Sequence, residues 1–480
     1  MALLFLRVLL TTILSIASSS SSSPSTAAAA ATSIGDSSHS HPRSTDIMPS
    51  STSDVVRSVI DAIQHDIIGT DAGNRGMKPL IVKDDLFLAS HAVVHQLMPK
   101  STVLILSGFP CCVQHSPPTE TDGPPGTMAI ARAIAACGHT AIVVVDDCNK
   151  AVFEASMQDM EMRGSDDGGG TFGTIQLECL PPIKSIVPPP NEYARVYLDD
   201  DDDDDNNSDA QQRFDDLVQR CDMIIACERA GPARDGACYT MRGINMTERN
   251  LIAPLDQLVT TMRHRDTEAP DSAVSDTSNT ASKGQDEDIE QQPSRPLQRR
   301  RLFLAIGDGG NELGMGKVID RIIESEQIAD GDKIGCVIAA DHLIAASVSN
   351  WGGYALAASI ALQMADADMQ TSRMPVTAVK RDGGKTADET TATAEENKEQ
   401  QAPTDIQTLA KTWIERCLPS EADEIALLNR CVAKGCRDGV SGKVEATVDG
   451  MPLERSLKCL RDIRDISLSV QPSSESLSVR

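Results

Sequence analysis

The residues best equipped for chemistry sit in short polar strings, each directly behind an apolar run. The densest is GDGGNELGMGK, Gly307 to Lys317. Its five glycines let the backbone turn tightly and approach a ligand closely. Loops of this kind ahead of a helix also gather N–H groups that bind anions, so Gly309 and Gly310 are candidate substrate contacts. Asp308, Asn311 and Glu312 can supply hard oxygen ligands for Mn²⁺ or Mg²⁺. The competing reading is a Gly-rich turn with capping Asp and Asn. A phosphate-binding lysine loop would need Gly at 311 and Ser or Thr at 318, where the chain has Asn311 and Val318. A dinucleotide fingerprint counted from Gly307 fails at Glu312. No nucleotide cofactor is expected.

A second string, from Gly108 to Gly126, places Glu120 and Asp122 on a loop stiffened by Pro117, Pro118, Pro124 and Pro125. Two such carboxylates could bind a metal or orient an amine, or simply face water in a surface turn. Cys111 and Cys112, adjacent in the same loop, are candidate reactive thiols. Behind the apolar run MIIAC come Glu228 and Arg229, then Arg234 and Arg242. These arginines could grip a carboxylate bidentately, or form ordinary ion pairs. Behind CVIAA come Asp341 and His342. Imidazole is the natural acid/base near neutral pH, although a lone His is more often structural. Asn350 opens a helical stretch beside Trp351 and could cap it or bind substrate. The Gly/Asp-rich stretch from Gly435 to Gly450, with Asp438, reads as a lid or closing hairpin.

The elements that would carry these strings follow a repeating grammar. Thr102–Leu106, Ala141–Val145, Met223–Cys227, Leu302–Ile306 and Cys336–Ala340 read as short buried strands. Helical stretches fall between several of them, including Gly126–Cys137, with Gly138 as its C-cap, and Ala355–Ala365. The fold class expected is α/β: a three-layer α/β/α arrangement with a mostly parallel, Rossmann-like sheet. In such sheets ligands bind beyond the carboxyl ends of the strands.

Composition narrows the function. The 480 residues carry a net charge of −26, which excludes nucleic acid as a partner. The acids are concentrated in polar stretches at about 183–213, 264–300 and 375–404, expected as disordered acidic inserts within a domain spanning 53–460. The first holds seven consecutive aspartates, Asp199 to Asp205. Aromatics make up 3% of the chain, so the core must come from Ala, Ile, Leu and Val. The 13 cysteines include no CxxC pair, and those in apolar runs read as reduced core thiols. Residues 1–50 read as a targeting peptide and disordered leader, with Ala2–Ile16 mostly apolar but too short and interrupted for a membrane span. An organelle such as the mitochondrial matrix is expected, with the secretory pathway as the alternative. No later segment spans a membrane. The tail, 465–480, reads as loose.

Taken together the strings GFP…PPTETDGPPG, ERAGPA.DG…MRG.N, AIGDGGNELGMGKV, AADHLI…VSNWGGYALAA and DGV.GK.E.TVDG resemble the C-terminal domain of the D-glutamate cyclase family, over roughly residues 55–455 without the inserts. The resemblance implies an α/β hydro-lyase that converts D-glutamate to 5-oxo-D-proline and water with a divalent metal, Mn²⁺ or Mg²⁺, the family pointing to Mn²⁺. Animal members carry a further N-terminal hydro-lyase-like domain, for which this chain has no room, so a partner supplying it is an expectation. Set beside that chemistry, Asp308, Asn311 and Glu312, with Asp122, would hold the metal. His342, supported by Asp341, or Glu120 would be the acid/base. Arg229 or Arg242 would bind the α-carboxylate, with Asn350, Gly309 and Gly310 as further substrate contacts. The rivals are a phosphate- or nucleotide-handling enzyme using the Gly307–Lys317 loop, and a non-catalytic amino-acid-binding module.

Overall fold

The computed structural model describes residues 51–70, 72, 76–158, 172–182, 205–268, 300–373 and 405–471. Six strands build one sheet: β1 (Thr102–Gly108), β2 (Thr140–Asp146), β3 (Ile175–Leu180), β4 (Met223–Arg229), β5 (Leu302–Gly307) and β6 (His342–Ala345). All pairings are parallel, in the order β3-β2-β1-β4-β5-β6. Along each inner strand successive residues face opposite cores. Val103, Ile105, Val143 and Ile225 join one apolar cluster, while Leu104, Leu106, Val144 and Ile224 join the other. A sheet apolar on both sides must be covered on both sides, and the expected three-layer α/β/α fold results.

The helices are α1 (Ser51–Ala62), α2 (Asp85–Gln96), α3 (Pro124–Ala136), α4 (Lys150–Met157), α5 (Asp205–Arg220), α6 (Leu255–Glu268), α7 (Ile319–Glu324), α8 (Gly331–Ile334), α9 (Ser349–Arg373), α10 (Ile406–Cys417), α11 (Glu421–Ala433) and α12 (Leu453–Leu468). A small antiparallel hairpin, β7 (Thr447–Val448) and β8 (Met451–Pro452), precedes α12. The alanines of α3 and α9 pack in the same core as the first cluster, where small residues let helices come close. No helix among the described residues is long and apolar enough to cross a membrane. All thirteen cysteines are free thiols.

Four expectations change. The run Cys336–Ala340 is buried in part but is no strand: it lies along the Gly-rich loop through bonds such as Cys336 N–H to Gly310 O (3.0 Å) and Ala340 N–H to Gly314 O (3.0 Å). The strand is the next four residues, beginning at His342. Edge strand β3 had no continuous apolar run to announce it, since IQLECL alternates polar and apolar. The expected insert at 183–213 ends in α5, whose Ala210, Phe214, Leu217 and Val218 are buried on one face beneath an acidic sequence. Helix α6 runs to Glu268, into the expected 264–300 insert, and α12 runs to Leu468, into the expected loose tail. The leader, residues 183–204 and 269–299, the 375–404 insert and residues 472–480 lie outside the described residues.

Candidate active site

The strand order reverses direction between β1 and β4, and the crevice beyond their carboxyl ends is where an open α/β sheet takes a ligand. Here the loop after β1 reaches Glu120 and Asp122 just before α3. Thr121 N–H donates to Arg437 O (2.8 Å) and Arg437 N–H to Thr119 O (3.1 Å), tying this loop to the C-terminal part of the chain. The Asp122 carboxylate accepts from Ser349 N–H (2.9 Å) and Asn350 N–H (2.8 Å), the first N–H groups of α9, and from Gly123 N–H (3.0 Å). Asn350 returns the favour to α3. Its Oδ1 accepts from Gly123 N–H (2.9 Å) and Gly126 N–H (2.8 Å), and its Nδ2 donates to Thr121 O (3.1 Å). Two helix starts thus satisfy each other's orphan donors and aim their positive ends at one carboxylate.

Asp122 has two carboxylate neighbours. Ligand oxygens of Asp122, Glu228 and Asp308 all lie within 4.8 Å of one another, and all three residues are buried. Glu228, the penultimate residue of β4, has φ 44°, a left-handed conformation unusual for a bulky side chain and typical of functional sites. Its neighbour Gly123 has φ 103°, which favours glycine, and a Cβ there would also crowd the Glu228 Cβ at 3.0 Å. Glu228 Oε2 and Asn311 Oδ1 are buried without a hydrogen-bond partner, while Asn311 Nδ2 donates to Tyr239 O (2.7 Å). Burial first, then the charge of neighbouring carboxylates, pushes Glu228, Asp122 and Glu120 well above the ordinary carboxylate range. Three buried carboxylates this close, with Glu228 Oε2 left unpartnered, are what a hard divalent cation neutralises. Asp122, Glu228 and Asp308 can hold a metal ion.

A cavity of about 300 Å³ opens beside them, lined among others by Glu120, Glu228, Arg242, Asp308, Asn311 and Asp449. A larger cavity, about 780 Å³, lies among α3, α10, α11 and α12. Its arginines are engaged structurally: Arg132 with Arg416 O (2.8 Å), Arg461 with Glu421 and Glu454, and Arg464 with Pro419 O (2.8 Å).

Of the expected site residues, Glu120, Asp122, Asp308, Asn311, Glu312 and Arg242 come together. Arg242 stands exposed at the mouth, its guanidinium donating to Val440 O (2.9 Å). The others do not line the cavity. Arg229 turns away and forms a fully buried ion pair with Asp146 at the end of β2, also donating to Ala253 O (2.8 Å). Its guanidinium is therefore occupied within the rim. Asn350 is a cap. Gly309 and Gly310 shape the loop: a Cβ at Gly309 would lie 2.8 Å from Glu312 Oε1, and Gly310 N–H donates to Glu312 Oε2 (2.7 Å).

Asp341 and His342 fall at the opposite edge. His342 pairs with Leu304 near the amino end of β5, and its Nδ1 lies 3.5 Å from Asp85. Asp341 accepts from Phe303 N–H (2.8 Å) and pairs with Arg300 and Arg263. The misplacement follows from taking CVIAA as the strand: a strand that starts at His342 carries it to the wrong end of the sheet.

Three site residues escaped the sequence reading. Glu228 was visible only as a strand-terminal residue. Asp449 enters through the β7–β8 turn, where Asp449 (φ 54°) and Gly450 (φ 73°) form the Asp-Gly turn typical of tight hairpins. Gly439 leaves room for Glu120, because a Cβ there would come 1.9 Å from Glu120 Oε2.

The family model described as D-glutamate cyclase-like, C-terminal, matches residues 65–289 and 286–464. The chain belongs to this family. A human protein named "D-glutamate cyclase, mitochondrial" is 30% identical over 390 residues, which cover 81% of this chain and 49% of the human one. The chain spans about half the length of that curated relative. Within the D-glutamate cyclase-like family match fall all three clustered carboxylates, Asp122, Glu228 and Asp308.

Proposed function

We propose that the chain cyclises D-glutamate to 5-oxo-D-proline with loss of water, as a hydro-lyase, using Mn²⁺ held by Asp122, Glu228 and Asp308 with Asn311 beside them. The observation that carries this reading is the buried three-carboxylate cluster at the sheet's reversal point in a member of a cyclase-like family. A divalent cation bound there supplies charge neutralisation for the γ-carboxylate, an otherwise poor electrophile.

The chain's own residues supply the rest. D-glutamate brings two carboxylates into a pocket lined by Glu120, Glu228, Asp308, Glu312 and Asp449, so substrate binding requires the cation. Arg242, at the mouth, pairs with the α-carboxylate. The enclosed cavity holds the bent conformer in which amine and γ-carbon meet, and the reaction is intramolecular, so positioning lowers much of the barrier. Glu120 is the acid/base. Burial and the nearby carboxylates Asp449 and Asp308 raise its pKa, which suits it to take a proton from the attacking amine and pass it to the departing oxygen, which leaves as water. The Gly307–Lys317 loop is a weak phosphate cradle, since Gly310 N–H already serves Glu312.

The test incubates the purified chain with D- or L-glutamate and Mn²⁺ and follows 5-oxoproline by mass spectrometry. Product from D-glutamate that disappears with chelator is expected. Because the chain spans half of its human relative, the assay runs with and without the relative's N-terminal half, which we propose as the class of partner supplying the hydro-lyase-like domain. Absence of product in both arms would sink the reading. A mitochondrial location is proposed from the human relative's name and the acid-free apolar start of the chain. A fluorescent fusion imaged against mitochondrial and secretory markers checks it.

A further inference from the structure

Cys111 and Cys112 lie in the loop after β1 with their sulfurs 3.9 Å apart. The backbone around them is fixed: Cys112 N–H donates to Pro118 O (2.9 Å), and His115 N–H donates to Cys112 O (2.9 Å). Cys111 lines the candidate active-site cavity next to Glu120, to whose carboxyl its thiol is hydrogen-bonded. Cys112 sits behind it, 8% exposed, with the guanidinium charges of Arg437 and Arg242 nearby. It is the one cysteine whose thiol is held below its ordinary value. The contact from Cys111 comes first among the causes, and the two arginines outweigh burial with it. The other twelve are pushed up, eleven of them chiefly by burial and Cys111 first by Cys112 itself. Thiolate character and access together select which cysteine oxidises.

We infer that Cys111 and Cys112 form a reversible oxidation site on the wall of the pocket, which a hydroperoxide closes to a vicinal disulfide. The Cys112 thiolate attacks the peroxide's terminal oxygen, the O–O bond breaks, and with hydrogen peroxide the leaving oxygen takes a proton and departs as water. This leaves Cys112 as a sulfenic acid. The Cys111 sulfur then attacks the Cys112 sulfur. The S–S bond forms, the S–O bond breaks, and the departing hydroxide takes the Cys111 proton as a second water. The two sulfurs give up two electrons in total, and the peroxide accepts both. The product withdraws from Glu120 the thiol that faces it, so the acid/base loses its partner. The covalent step stands on the 3.9 Å sulfur approach and the arginine charges beside Cys112, while its effect on turnover rests on the function proposed above.

The experiment treats the full chain with hydrogen peroxide, alkylates the remaining thiols, digests it and maps the peptide holding Cys111 and Cys112 by mass. The expected result is a loss of about 2 Da and resistance to alkylation on that peptide, both reversed by dithiothreitol. D-glutamate turnover should fall by about 10-fold or more over the same time course and recover on reduction. Cys112→Ser should show neither change while keeping basal turnover. Free, alkylatable Cys111 and Cys112 after treatment, or pairing of either with a different cysteine, overturns the inference. Should Cys112→Ser fail to fold, the wild-type mass map alone decides. A disulfide formed in a chain that turns nothing over leaves this site standing and removes the function instead.

Discussion

Each carboxylate of the cluster depends on groups that hold it. Asp308 contributes to all of them, since it lies within hydrogen-bond reach of Asp122 and its charge bears on Glu120 and Glu228. Asp308→Asn should weaken Mn²⁺ binding, read by calorimetry, and lower turnover by at least about 100-fold, with the melting temperature of the metal-free protein unchanged or raised. The direction of that last change is distinctive, because removing one of several crowded charges relieves repulsion. Arg229 makes the opposite case. Its charge serves the fold, so Arg229→Met leaves Asp146 buried without its partner and should cost about 3–5 kcal/mol in denaturant unfolding. KM for D-glutamate in the folded fraction should stay the same. A raised KM with unchanged stability would return Arg229 to substrate binding.

Helices α3 and α9 make the site by touching at their first turns. A Cβ on Gly353 would lie 2.6 Å from the backbone of Gly126, so the contact admits no side chain. Gly353→Ala gains helix propensity of at most about 1 kcal/mol, yet overpacking of about 1–3 kcal/mol outweighs it. We expect a lower melting temperature together with weaker Mn²⁺ binding, because Asp122 is aligned through the same junction. Further along, Tyr354 Oη donates to Glu424 of α11 (2.5 Å), a carboxyl that burial raises to about 7. The folded state therefore holds this proton more tightly than the unfolded chain. The stabilisation is complete below the ordinary carboxylate value and is lost as pH rises through about 7. Glu424→Gln, which mimics the protonated form, should remove about 3 kcal/mol of pH-dependent stability loss. Unfolding curves at acidic and mildly alkaline pH compare the two proteins; parallel pH profiles would show that Glu424 ionises freely.

At the scale of the whole molecule, the two edges of the sheet do different work. The carboxyl edge gathers Glu120, Asp122, Glu228 and Asp308, while at the amino edge Asp85 pairs with Lys317 and lies 3.5 Å from His342 Nδ1, and Lys317 also donates to the Asp341 backbone carbonyl. His342→Ala should leave D-glutamate turnover within about twofold of wild type, since its side chain sits with Asp85 at the amino edge, away from the carboxylate cluster, and can transfer no proton there. A loss of about 100-fold or more, the scale of a missing acid/base, would move catalysis to the wrong edge of the sheet and end the present assignment. The large negative charge does not enter this comparison, because the stretches that hold the densest acids, such as Asp199–Asp204, fall outside the described residues.

The amino-acid sequence determined the layer architecture, because short apolar runs broken by Gly- and Pro-rich loops can be buried only as a parallel sheet covered on both faces. It also exposed Glu120, Asp122, Asp308, Asn311 and Glu312, whose strings are dense enough to stand out locally. Only the tertiary structure decided which end of each strand those strings occupy and who their partners are. An apolar run reports burial but not strand pairing, so CVIAA passed for a strand and carried His342 to the wrong edge. A charged residue reports its charge but not its counterion, so Arg229 passed for a substrate ligand while Asp146 already held it. Glu228 and Asp449 joined the site through backbone geometry at a strand end and a two-residue turn, and that geometry exists only once distant parts of the chain have met.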